Sequence, residues 1–187
     1  MSNIIAIDSY QPQDRDSFFF DTNIWMYLYC PMGNYRRRIT RKYDGFLKRV
    51  LQAKSSIFIS SLVLSEFFNA YSRLEFNLLK DKEPSKYKDF KKDFRGTEAY
   101  KRMVNSIKTI VKTQILKLAK RIDDKFSNIN LDELFENIER SDFNDNYYQL
   151  LAATENIKIV TNDSDFASTR KIPVPILTAN YKLLKGS

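Results

Sequence analysis

Histidine is absent from this chain of 187 residues, and cysteine occurs once, as Cys30. Without histidine the protein has no imidazole base, no Ser-His-Asp triad and no histidine-bound metal. A single thiol also excludes an intrachain disulfide and a thiolate zinc cluster. Any catalytic chemistry must therefore rest on carboxylates, lysine, tyrosine or a metal bound by oxygen atoms.

The sequence has few features of a membrane or secreted protein. Its apolar run at residues 18–29 is interrupted by Asp21 and Asn23 and is too short to span a bilayer. The first residues are polar and acidic, whereas a signal peptide is basic and then apolar. We therefore expect a cytoplasmic protein that makes no use of a membrane.

Positive side chains exceed negative ones, with 31 Lys and Arg against 23 Asp and Glu, which gives a net charge of +8. This excess favours a polyanionic partner such as a nucleic acid. It is equally consistent with a basic surface that keeps the protein in solution. The hydrophobic share of 43% predicts a folded core and leaves both interpretations open.

Short apolar segments without alternation predict buried strands of a parallel sheet. They lie at residues 18–20, 56–60, 157–161 and 174–177, with a weaker strand pattern at 4–7. Helical spacing predicts helices at residues 23–29, 46–51, 62–79, 131–138 and 145–155. Strands that alternate with helices favour an α/β fold, here three α/β/α layers around a mainly parallel sheet of four or five strands.

Residues 80–126, which we call the basic segment, differ from the rest. They are very polar up to Arg95, and residues 98–126 then follow a helical pattern with lysines mostly off its apolar stripe. We interpret the basic segment as a helical insertion in a single domain whose core comprises residues 17–79 and 127–181. Its helix is typical of a solvated amphipathic face, and a nucleic-acid-binding arm is the alternative.

Acidic side chains stand where the predicted strands end or where helices begin. The six candidates are Asp21, Glu66, Asp142, Asp145, Asp163 and Asp165. Because the carboxyl ends of parallel strands meet at one edge of a sheet, we expect these acids to lie close together. Clustered carboxylates repel one another unless they bind protons or a cation. Hard ions such as Mg²⁺ and Mn²⁺ prefer oxygen ligands, and they can activate a water for phosphodiester hydrolysis.

Three motifs occur in the order found in one known family. The first is Phe19-Phe20-Asp21-Thr22-Asn23, and the second is residues 60–66, which end at Glu66. The third joins Asp145 and its helix to Thr161-Asn162-Asp163-Ser164-Asp165. Together they resemble the PIN domain, a family of metal-dependent nucleases that mostly cleave RNA and include toxins of bacterial toxin–antitoxin pairs.

The resemblance implies a site for one or two Mg²⁺ or Mn²⁺ ions. Its catalytic and metal-binding acids would be Asp21, Glu66, Asp145 and Asp163. Asp165 would join the metal at the rim, and Asn23 and Thr161 would support the site through hydrogen bonds. The implied activity is endoribonuclease, the substrate is RNA, and the implied partners are an antitoxin protein and a second copy of the chain.

Several roles stay open at this level. Asp142 and Asp165 are either ligands or residues of a helix cap and a turn. Arg36, Arg37, Arg38 and Arg41 bind substrate phosphate or form a solvated loop. We expect Trp25 in the core and Tyr147 and Tyr148 there too, with base stacking as the alternative for one tyrosine. The alternative functions are a non-catalytic nucleic-acid-binding or partner-regulated module and a structure-specific DNA nuclease.

Overall fold

A computed structural model describes residues 4–136, 138–139, 141–167 and 172–185. The strands in these ranges are β1 (Ile4–Ala6), β2 (Ser17–Phe20), β3 (Ser56–Ile59), β4 (Lys120–Arg121), β5 (Lys158–Val160) and β6 (Ile176–Thr178). The α-helices are α1 (Thr22–Tyr29), α2 (Arg37–Gln52), α3 (Ser61–Lys82), α4 (Glu98–Ile110), α5 (Leu116–Leu118), α6 (Leu131–Phe135), α7 (Phe143–Thr154) and α8 (Tyr181–Lys185). Single π-helical turns at Phe90–Phe94 and Val111–Ile115 lie in the basic segment.

One parallel sheet organises these elements, in the order β1-β6-β5-β2-β3-β4. Strand β2 lies inside it, between β5 and β3, and pairs Phe19 with Ile159 and Phe58. The three phenylalanines of β2 are buried, as a strand covered on both faces requires. The predicted α/β fold with a parallel sheet is confirmed. Because every described pair is parallel, all strands end at the same edge.

The sheet has six strands, whereas the sequence predicted four or five. The unexpected strand is β4, which lies inside the predicted helix 98–126. That helix was wrong beyond Leu118, because Ala119 is extended and Lys120 pairs with Phe58 at the sheet edge. Lys120 and Arg121 are exposed and basic, so the sequence gives no sign of a strand there. Charged side chains are nevertheless common on the edge strands of sheets. The predicted helix 131–138 was also too long, since α6 ends at Phe135; its residue 137 lies outside the described residues.

An aromatic cluster fastens the basic segment to α3. Its rings pack edge-on or tilted, with centroids 5.4 to 6.4 Å apart, and belong to Phe76, Tyr87, Phe90, Phe94 and Tyr100. The guanidinium of Arg73 on α3 adds a cation–π contact, 4.8 Å from the centre of the Phe90 ring. The aromatic cluster therefore packs the first part of the basic segment against α3.

The core contains the aromatic residues expected there. Trp25 is fully buried, and Tyr147 and Tyr148 are almost completely so. The polar start of the chain is held by Asp16, which accepts hydrogen bonds from Lys158 and Tyr10 at 2.9 and 2.8 Å. Within the described ranges, no helix combines the length and the apolar composition needed to cross a membrane.

The aromatic cluster predicts that the basic segment contributes to folding stability. Phe94 is 0% exposed, so Phe94→Ala should lower the free energy of unfolding by about 3–5 kcal/mol, as for other buried Phe→Ala changes. Phe135 is 54% exposed, and Phe135→Ala, the matched control, should cost less than about 1 kcal/mol. Urea denaturation measures both. Equal midpoints for the two variants would show that the basic segment does not pack as described.

Candidate active site

A cleft of about 650 Å³ opens at the edge where the strands end. All six candidate acids line it, namely Asp21, Glu66, Asp142, Asp145, Asp163 and Asp165. They come from the end of β2, from α3, from the start of α7 and from the turn after β5. The parallel sheet thus brings together carboxylates that are up to 144 positions apart in the sequence.

Asp21 is the most deeply placed of these acids, with 5% of its surface exposed. It follows the buried strand β2 directly and is the N-cap of α1, where its Oδ1 accepts from the backbone amide of Thr22 at 2.5 Å. Its Oδ2 accepts from the Thr161 hydroxyl at 2.6 Å and from the side-chain amide of Asn23. The carboxylate is therefore fixed from both oxygens.

Thr161 connects the two chain segments that flank the cleft. Besides donating to Asp21, its hydroxyl accepts from Asn23 Nδ2 at 3.1 Å and from the backbone amide of Asp163 at 3.0 Å. The other end of the Asn23 amide accepts from the backbone amide of Asn162 at 3.1 Å. These bonds hold the end of β2 and the turn after β5 in one register. Asn23 and Thr161 thus hold Asp21 through hydrogen bonds, and their support of a metal site stays a prediction.

Glu66 is oriented by three donors from two other elements. Its Oε2 accepts from the Thr22 hydroxyl at 2.7 Å and from the Tyr148 hydroxyl at 2.6 Å. Its Oε1 accepts from the side-chain amide of Asn144 at 2.5 Å. Burial and the neighbouring carboxylate raise the pKa of Tyr148, so this phenol stays protonated and keeps donating. Glu66 is therefore held in place by neutral groups that leave its charge uncompensated.

Some acids of the cleft also accept hydrogen bonds from the backbone of their own helix or turn. Asp142 is the N-cap of α7 and accepts from the backbone amide of Asn144 at 2.8 Å. Asp163 accepts from the backbone amide of Asp165 at 3.0 Å, which closes the turn after β5. Asp163 and Asp165 are exposed, whereas Asp145 is half-buried. Capping and turn formation therefore coexist with exposure to the cleft.

Burial and mutual repulsion make two of these carboxylates bind protons unusually tightly. Burial, and then the charges of Glu66 and Asp163, raise the pKa of Asp21 to about 7, against the opposing effect of the Thr161 hydrogen bond. Burial, with the charges of Asp21 and Asp163, raises the pKa of Asp145 to about 8. Among the described residues, no Lys or Arg pairs with Asp21, Glu66, Asp145 or Asp163. The cleft therefore has negative charge that a cation would stabilise.

The donor atoms fit a hard divalent ion in a partly hydrated form. All the candidate ligands are carboxylate oxygens, which Mg²⁺ and Mn²⁺ prefer. In the part of the chain that the structure describes, however, no three acids, cysteines or histidines are close enough to hold an ion jointly. Mg²⁺ is commonly bound by one or two carboxylates and several waters. The cleft suits that mode better than an all-protein cage.

The arginine cluster lies on and before the first turns of α2. Arg36 lines a second pocket, which shares Tyr27 and Tyr35 with the acidic cleft. Arg37, Arg38 and Arg41 are exposed on α2. Arg36 therefore lies beside the acidic cleft, and a substrate-binding role for the four arginines stays a prediction.

Three polar residues of the site were not predicted from the sequence, namely Thr22, Asn144 and Tyr148. Each donates to Glu66, from positions 44, 78 and 82 residues away. Thr22 lies inside the first motif, and Asn144 is next to Asp145, so proximity to motif acids was the available signal. The Tyr148 hydroxyl had no such signal, because a buried tyrosine is usually explained by packing.

The fold and the site are thus a parallel α/β sheet with an acid-lined cleft at its carboxyl edge. The family model of the PIN domain matches residues 18–172. The chain therefore belongs to the PIN domain family, as its motifs indicated. Members of this family are generally nucleases and typically use divalent metal ions.

A solved structure has the same fold at low sequence identity. The crystal structure of VapBC2 from Rickettsia felis, bound to a DNA fragment from their promoter, contains a chain with 15% identity and a TM-score of 0.51. That match covers 88% of this chain and 99% of the other. PAE2754 from Pyrobaculum aerophilum is 17% identical over 97% of this chain and 95% of its own, with a TM-score of 0.44. A comparison with curated proteins gives no match.

The raised pKa values predict how stability depends on pH without a metal ion. The native state keeps protons on Asp21 and Asp145 up to about pH 7 and 8, whereas an unfolded Asp loses its proton near 3.8. This contribution favours folding at low pH and is lost as the pH rises through those values. Thermal unfolding in EDTA from pH 5 to 9 should therefore show a falling Tm.

Asp145→Asn tests the source of this pH dependence, because the amide cannot titrate. Its Tm should fall less steeply with pH than that of the wild type, and Asp132→Asn, an exposed acid on α6, should follow the wild type. Parallel curves for the wild type and Asp145→Asn would contradict the raised pKa of Asp145.

Proposed function

We propose that the protein is a metal-dependent endoribonuclease that hydrolyses RNA phosphodiester bonds and leaves a 5′-phosphate and a 3′-hydroxyl. The observation that carries the proposal is the convergence of Asp21, Glu66, Asp145 and Asp163 on one cleft without a neutralising Lys or Arg among the described residues. Membership of a family of nucleases supports it. The net charge of +8 agrees with a polyanionic substrate.

The residues of the chain have separate tasks in this proposal. Asp21 and Asp145 would hold Mg²⁺ or Mn²⁺, with Glu66 and Asp163 acting on it through water, and Asp165 at the rim. When bound, the ion supplies an activated water and neutralises charge on the phosphodiester. Asn23 and Thr161 keep Asp21 in position. Thr22, Asn144 and Tyr148 do the same for Glu66.

Asp21→Asn tests the catalytic proposal, since the amide keeps the size of the side chain and removes its charge. RNA cleavage with Mn²⁺ should fall by more than about 100-fold, because even residues that only support a metal ligand change activity by 10–100-fold. Gel analysis of a labelled single-stranded RNA measures the loss, and EDTA should abolish wild-type cleavage.

Asp132→Asn, the matched control, removes an exposed carboxylate from α6 and should cleave like the wild type. Cleavage that survives both EDTA and Asp21→Asn would refute the metal mechanism. A folded wild type that binds RNA without cutting it under any divalent ion would favour a non-catalytic module instead. A DNA strand of the same sequence tests the third possibility, a DNA nuclease.

We also propose a narrower role as the toxin of a toxin–antitoxin pair. The support is the family, together with the fold shared with a chain of VapBC2, whose crystal structure is bound to a DNA fragment from their promoter. The partner would be an antitoxin protein that blocks access to the acidic cleft.

Induced expression in a bacterial host tests the toxin role. The wild type should arrest growth, whereas Asp21→Asn should not, and co-expression of the neighbouring open reading frame should restore growth. Normal growth with an enzyme that is active in vitro would reject the toxin role and leave the nuclease proposal intact.

A further inference from the structure

The excess positive charge of the protein resides in the basic segment. Residues 80–126 contain 15 Lys and Arg against 7 Asp and Glu, which accounts for the whole net charge of +8. The remaining residues contain 16 of each sign and are neutral as a set. The charge is therefore a property of one quarter of the chain, and a uniform solubilising surface does not explain it.

These cations are largely free to meet a ligand. All 14 Lys and Arg between residues 80 and 121, a stretch the structure describes completely, are exposed. Only Lys86 and Lys101 among them form ion pairs, with Glu83 and Glu98. On α4, Lys101 and Lys108 are two turns apart and lie opposite the buried Met103.

Two other acids of the same stretch, Asp89 and Asp93, accept hydrogen bonds from backbone amides. Asp89 accepts from the backbone amides of Lys91 and Lys92 at 2.9 and 2.8 Å. Asp93 accepts from the backbone amides of Lys88 and Asp89, and these bonds lower its pKa. The ammonium groups of Lys91 and Lys92 are thus presented to solvent on an ordered turn.

The segment is also fixed to the helix that lines the acidic cleft. Arg73 of α3 contacts the ring of Phe90, while the next residue, Leu74, lines the cleft. The aromatic cluster holds the same turn against Phe76 of α3. One helix therefore has the acidic cleft on one part of its surface and the base of the basic segment on an adjoining part.

We propose that the basic segment binds the phosphate backbone of RNA outside the cleft and supplies most of the affinity for the substrate. The inference rests on the proposed nuclease function, because an acid-lined cleft without its cation repels phosphate and adds little to substrate affinity. Contacts of this kind are independent of sequence and release counterions, so they weaken with salt in proportion to the number of phosphates neutralised.

A charge-matched pair of variants tests the proposal. The first replaces Lys91, Lys92, Lys108 and Lys112 by Gln, and the second, the control, replaces Arg15, Lys48, Lys54 and Lys185 by Gln. Both sets are exposed and both variants lose four positive charges, from the basic segment in the first and from the rest of the chain in the second. The probe is a fluorescein-labelled single-stranded RNA of 20 nucleotides, followed by anisotropy in EDTA between 50 and 300 mM NaCl.

EDTA separates binding from cleavage, so an inactive enzyme does not affect the result. The logarithm of the RNA association constant falls linearly with the logarithm of the salt concentration, with a slope of about 0.7 for each phosphate contact on a single strand. The loss of four contacts should therefore reduce the size of this slope by about 3 in the first variant, and the control should change it little. At 0.1 M salt the first variant should bind roughly 100-fold more weakly. Equal weakening of both variants, or unchanged binding by the first, would overturn the proposal and leave the nuclease function standing.

Discussion

The fold of this protein has to accommodate a carboxylate, Asp21, at the end of a strand that is buried in the sheet. The position is imposed by the fold, since β2 lies between β5 and β3 and delivers its next residue to the carboxyl edge. Desolvation there makes the charged form costly and raises the pKa of Asp21 to about 7. Hydrogen bonds from Thr22, Asn23 and Thr161 offset part of that cost.

The other acids add to this constraint instead of relieving it. Glu66 is fixed by three neutral donors, and Asp145 has a pKa raised to about 8 by burial and by its acidic neighbours. A protein that needed only stability would gain from a Lys or an apolar side chain at one of these positions. The proposed cation would relieve this repulsion, and the absence of histidine and the single cysteine would restrict it to an oxygen-binding ion.

The sequence predicted what depends on local pattern. Continuous apolar segments gave the inner strands, and the parallel sheet then placed Asp21, Glu66, Asp145 and Asp163 at one edge. The pattern could not reveal β4, because Lys120 and Arg121 owe their extended form to pairing with β3 and not to their own composition. The donors to Glu66 were missed for a similar reason, since each contact joins residues at least 44 positions apart.

Charge separation gives the molecule its second organising feature. A neutral remainder holds the acidic cleft, and the basic segment concentrates the positive charge on an ordered aromatic base. Both the acidic cleft and the basic segment adjoin α3, so in the proposed function one chain would attract a polyanion through the basic segment and keep acids at the reacting position.

The most direct test of the central claim is an anomalous-scattering measurement on crystals soaked in Mn²⁺. We expect an anomalous peak in the cleft, bound to Asp21 and Asp145 directly or through water. Crystals of Asp21→Asn should show no such peak. A wild-type cleft that stays free of Mn²⁺ at millimolar concentration and neutral pH would contradict it.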